Sequence, residues 1–177
     1  AKKYHVGLKE HNGDYLDDAV LLEHPALGVT AMNVAPEFGT VETQAYLTLI
    51  EVEKRLAGQG LVKEISILGK TLQEESVKSC RWKKWMIDGK DKLSPEEILQ
   101  DEKLTRLITE ISGHYTFNNE HVKQEIEKLY KNLAVNGING EKYVIYKIKN
   151  AIDHYVECFN LEGLTTKLNN KIGRAHV

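Results

Sequence analysis

Five residues near the start of the chain, Glu10-His11-Asn12-Gly13-Asp14, bring together side chains able to do chemistry. His11 can hold a divalent metal or shuttle a proton. Glu10 and Asp14 can serve as ligands or general bases. Gly13 lets the backbone approach a ligand closely, and loop N–H groups ahead of a helix suit a phosphate. A second polar break follows at Asn33 and Ala35-Pro36-Glu37. Asn33 interrupts an apolar run, where a buried amide needs hydrogen-bond partners and a substrate hydroxyl is a suitable one. The candidates are therefore Glu10, His11 and Asp14 for proton transfer or for a metal, and Asn12, Gly13, Asn33 and Glu37 for substrate. The same HNGD stretch is also good turn chemistry, with Asp14 capping a helix, so both readings stand on local sequence.

The flanking pattern predicts what positions these residues. Tyr4 to Leu8 and Val29 to Ala35 are short, mostly apolar runs of the kind that form buried parallel strands. Between them Leu16, Ala19, Val20 and Leu22 have helical spacing, and His24-Pro25 is expected to end that helix. Strand, helix, strand is a βαβ unit. Function in such folds gathers past the carboxyl ends of the strands, and neighbouring strands lie roughly 5 Å apart, so both loops are expected to line one pocket.

From Thr40, read as a helix cap, the pattern is helical. Val41, Ala45, Leu49, Val52 and Leu56 share one face, and Gly58-Gln59-Gly60 stops the run. Leu61 to about Cys80 reads as one helix, interrupted near Gly69. Ser94-Pro95-Glu96-Glu97 is a helix start with a capping box. Asn118 or Asn119 caps the next helix, residues 135–140 form a turn, and a last helix runs from about Glu141 to Phe159. Two strands do not make a stable parallel sheet alone. The expected fold class is α/β, with residues 1–60 the end of a larger domain and 61–171 a helical extension. The missing initiator Met fits a fragment cut on its N-terminal side. The last six residues, Ile172 to Val177, match the translation of a common sequencing adapter and are set aside, His176 included.

With 24 Lys+Arg, 26 Asp+Glu and a formal charge of −2 over 177 residues, nothing points to nucleic acid or an anionic membrane as partner. The 41% hydrophobic content suffices for a packed core. Cys80 and Cys158 lack metal-type spacing and read as free thiols of a reducing cytoplasm. No apolar run is long enough to span a bilayer. His5, His24, His121 and His154 read as packing or surface residues. Trp82, Trp85, Tyr115 and Phe117 read as packing anchors of the helical part; His114-Tyr115 reads either as packing or as a segment that reaches back over the pocket.

The order of (E)HNGDY, helix, (M)NVAPEF and helix resembles the end of a metal-dependent class II sugar-phosphate aldolase. It is most similar to the branch described as the non-catalytic, accessory subunit of tagatose-bisphosphate aldolase, once labelled tagatose-6-phosphate kinase. The likeness rests on Glu10 to Tyr15, on Arg81-Trp82-Lys83-Lys84-Trp85-Met86 and on His114-Tyr115-Thr116-Phe117. It covers about His5 to Leu164. It implies the last two strands of a (β/α)8 TIM barrel, sugar phosphates as ligands and a place in cytoplasmic carbohydrate metabolism. It also implies a divalent metal, Zn or Mn, held partly by His11, with Gly13 at a phosphate and Asn33 at the substrate. The partner would be a catalytic aldolase subunit or a second copy. Activity would be that of a metal-dependent aldolase or epimerase; the alternative is a non-enzymatic partner that stabilises a catalytic aldolase. Pro36, with no N–H to give, departs from the pattern of that family.

Overall fold

The computed structural model describes residues 2–174. It divides into two compact units, one made of the residues up to Ala35 and those from Lys149 onward, the other of Pro36–Ile148.

In the first unit, strand β1 (Leu8–Glu10) pairs in parallel with β2 (Val29–Met32), and helix α1 (Asp18–Leu27) connects them. Leu8 lies opposite Val29 and Glu10 opposite Met32, with an irregularity between Leu8 and Lys9. The Asp17 side chain caps α1 by accepting from the Val20 N–H, the role expected of Asp14. The helix runs through Pro25, which sits in its last turn, where losing one N–H costs little. Gly28 closes it at φ +87, a conformation that favours glycine. Leu21, Val29, His24 and Tyr155 form the buried interior.

The expected barrel is overturned. The chain is 69% helical, and among the described residues its strands are two short ones of three and four residues. Barrel staves are covered on both faces, yet here Leu8 is 47% exposed and Val29 alone of β2 is buried. The apolar run from Tyr4 misled because Lys2–Tyr4 is a 3-10 turn and His5 takes φ +54, which breaks extension before Leu8. The class is mostly helical.

The second unit is built of helices. They are α2 (Pro36–Gly58), α3 (Leu68–Lys78), α4 (Pro95–Gln100), α5 (Glu102–Ser112), α6 (Glu120–Val135) and the first part of α7 (Gly140–Cys158). A final helix, α8 (Leu164–Arg174), follows in the first unit. Helix α2 starts at Pro36, a residue suited to a first turn, rather than at Thr40. Residues 61–67 are not helical, and Gly69 lies inside α3. Ser94 and Glu97 make the expected reciprocal cap of α4, and Asn119 caps α6. Ala45, Tyr46, Leu49, Leu68, Leu72, Leu129 and Leu133 close one core. Val77, Trp82, Ile98 and Ile108 close another.

Beneath the 61–67 linker, Glu53 is 1% exposed and accepts three bonds. They come from the Ser66 N–H (3.0 Å), the Ser66 hydroxyl (2.6 Å) and Asn132 Nδ2 (2.6 Å). A buried carboxylate is tolerated when donors surround it in this way. The bonds pin the linker to α2 and α6.

Candidate functional site

The polar residues past the two strand ends do come together, within the first unit. The parallel ladder continues beyond the strands. The Asn33 N–H donates to Glu10 O (3.2 Å), and the Gly13 N–H donates to Asn33 O (3.0 Å). The Ala35 N–H donates to Asp14 Oδ1 (3.0 Å). Asn12 makes the turn with φ +59, a region that Asn tolerates better than most residues. Gly13 is buried, and a Cβ there would sit 2.0 Å from Met32 Sδ, so the close approach Gly13 permits is to Met32. Its carbonyl accepts from the Tyr155 hydroxyl at 3.0 Å. Both polar groups of the Gly13 backbone are thus engaged inside the fold.

Glu10 is half-buried, and its Oε2 lies 2.7 Å from Nε2 of His24. His24 is buried, and its Nδ1 meets the Val20 carbonyl. Both ring nitrogens therefore face acceptors, which favours the doubly protonated imidazolium. The Val20 carbonyl does most to raise the His24 pKa above its ordinary value; burial opposes this, and Glu10 adds to the rise. The Phe159 ring lies 5.9 Å from the His24 ring. Nearby in the same unit, His154 Nε2 is 3.3 Å from Asp18 Oδ1.

His11, Asn12 and Asn33 are exposed. Asn33 lies past the end of β2 rather than inside it, so the argument from a buried amide does not apply; its exposed side chain is open to solvent. Glu37 belongs to the second unit, in the first turn of α2. Among the described residues no group of three or more His, Cys, Asp or Glu side chains stands together to hold a metal. His11 alone does not make up the donor set of a Zn or Mn site. His176 lies outside the described residues.

Sequence reasoning missed His24, which it placed among structural histidines away from the chemistry. Its partner is fourteen residues away and on another element, so no local spacing reveals the pair. Tyr155 is buried on α7, and its bond to Gly13 spans 142 residues, so no local pattern reveals it. His114 packs in the second unit. A Cβ on Gly39 would fall 2.4 Å from its ring, and its Nδ1 is buried without a hydrogen-bond partner. Burial pushes the His114 pKa down.

The second unit also holds two cavities. One of about 540 Å3 lies between α2, α3 and α5, lined by residues that include Leu47, Ile50, Lys54 and Arg106. One of about 410 Å3 lies by Tyr130, Ile138 and Glu141. Neither is lined by a residue of the strand-end loops. Compared with known proteins, the chain matches no family model, no curated protein and no solved structure.

Proposed function

We propose that the chain is a sugar-phosphate-binding subunit of the class II tagatose-bisphosphate aldolase type, acting in cytoplasmic carbohydrate metabolism through the exposed edge where its two strand-end loops meet. The observation that supports this reading is the fastening of those loops by the Glu10–Asn33, Gly13–Asn33 and Asp14–Ala35 bonds. They fix His11, Asn12 and Asn33 on adjoining turns, with their side chains exposed. An imidazole and two amides offer hydrogen-bond donors to a phosphate, and donors and acceptors to sugar hydroxyls. The free thiols Cys80 and Cys158 suit a reducing compartment. No helix among the described residues is long and apolar enough to cross a membrane.

Within this reading the role is binding rather than proton transfer. Glu10 already pairs with the His24 ring and Asp14 already accepts a backbone N–H, so each proposed base is engaged internally. The same observation favours the second reading, a non-enzymatic partner that stabilises a catalytic aldolase. Titration calorimetry of the full chain with tagatose bisphosphate and with fructose phosphate decides between them. Binding that weakens about tenfold in His11→Ala or Asn33→Ala supports the first reading. Absence of binding, or affinity indifferent to both substitutions, rejects it.

A further inference from the structure

Residues 78–92 carry six cations, Lys78, Arg81, Lys83, Lys84, Lys90 and Lys92, against two acids, Asp88 and Asp91. This net +4 stands on a chain whose total is −2. Lys78 pairs with Glu75. Among the described residues none of the other five stands in an ion pair.

Two of the cations lie against an exposed apolar group. Trp85 and Tyr115 are each 38% exposed and stack at 6.1 Å with planes 17° apart; Ile87 is 72% exposed. Arg81 Cζ lies 5.4 Å from the Tyr115 centroid, and Lys84 Nζ lies 4.3 Å from that of Trp85. The segment is held from below. Trp82 is fully buried, and its Nε1–H donates to the Val77 carbonyl at 2.9 Å. A fixed scaffold of this kind lowers the ordering cost of binding.

The composition decides what fits. Trp, Tyr and Arg are the residues that carry most binding energy at protein interfaces, and uncompensated cations call for carboxylates. Base stacking on single-stranded nucleic acid uses open aromatic faces, whereas these two rings stack on each other and carry cations. A membrane-surface element presents an apolar helix face, whereas Arg81–Trp85 is a five-residue 3-10 turn with cations among its aromatics. We propose that this face docks an acidic, amphipathic polypeptide segment. The carboxylates of that segment pair with Arg81, Lys83 and Lys84, and its apolar side chains pack on Ile87 and on the part of Trp85 left exposed beside the stack. The surface is independent of the strand-end loops, so its failure leaves the sugar-phosphate reading untouched.

The test is fluorescence anisotropy on the full chain with two labelled peptides of equal charge, one alternating Glu with Leu and Phe, the other alternating Glu with Ser. Labelled oligo-dT and phosphatidylserine vesicles are run beside them. The apolar peptide is expected to bind about tenfold more tightly than the serine peptide. The double variant Arg81→Glu/Lys84→Glu is expected to lose about tenfold or more, with Lys147→Glu as the charge-reversal control that changes nothing. Ile87→Ser, outside the aromatic stack, is expected to close the gap between the two peptides, and circular dichroism checks that each variant is folded. Equal affinity for the two peptides overturns the proposal. So does tighter binding of oligo-dT or vesicles, or indifference to the double variant.

Discussion

Glu10 Oε2 and His24 Nε2 lie 2.7 Å apart, joining the end of β1 to the last turns of α1. With Val20 O on its other nitrogen, the buried His24 ring sits between one carboxylate and one carbonyl, an arrangement that raises its pKa.

Because the His24 pKa is raised from 6.5, the stability it contributes is fully present below that value and is lost as pH rises through the raised folded value. Urea denaturation across this window, with NMR titration of the ring, should show the decline. Glu10→Gln should shrink it. The side chain of Glu10 is 40% exposed, so the pair is screened and the loss should be about 1 kcal/mol or less. A His24 titration unchanged in Glu10→Gln would refute the pairing.

His114 should behave in the opposite sense. Burial lowers its pKa, so the unfolded chain holds the extra proton, and the penalty on folding appears as pH falls below 6.5. Two histidine resonances displaced to opposite sides of the ordinary value are expected, assigned through His24→Gln and His114→Gln. Both moving the same way would contradict the structure.

Gly13→Ala should destabilise the loop edge by about 1–3 kcal/mol, since the new methyl meets Met32. Met32 is flexible, so Gly13→Ala combined with Met32→Ala should recover part of the loss. An absence of coupling in the double-mutant cycle would show that the two residues do not touch.

At Glu53 a truncation and an isosteric substitution have separate expected outcomes. Glu53→Ala strands the Ser66 and Asn132 donors and should cost about 3 kcal/mol. Glu53→Gln should cost less, about 1 kcal/mol, because its amide nitrogen can face the Ser66 hydroxyl, which can turn to accept. Equal losses in denaturant midpoint would count against this hydrogen-bond arrangement.

The helical part of the fold was legible because its signals are local. Ser94 and Glu97 cap α4, Asn119 caps α6, and the Ala45–Leu49 face packs inward, each within a few residues of its cause. The strand region was only partly legible. Short apolar runs do not say how long a strand is or what covers it: Tyr4 to Leu8 reads as a strand, yet the left-handed turn at His5 leaves extension to Leu8–Glu10. The meeting of the two polar loops followed from strand direction, which the alternation of strand and helix does encode. The partners of Glu10 and Gly13 did not, because His24 and Tyr155 reach them through tertiary packing.

The hydroxyl of Tyr155 closes on the carbonyl of Gly13 across 142 residues, and the unit it completes is split in sequence around the contiguous Pro36–Ile148 unit. On a ribosome that order matters. Domains fold as units and generally from the N-terminal side, so the contiguous helical body can assemble while the first thirty-five residues wait for the segment beginning at Lys149. Until that late segment emerges, the Gly13 turn and the His24 ring lack the aromatic cover of Tyr155 and Phe159. The strand-end loops therefore complete their packing only after the Pro36–Ile148 unit has been made.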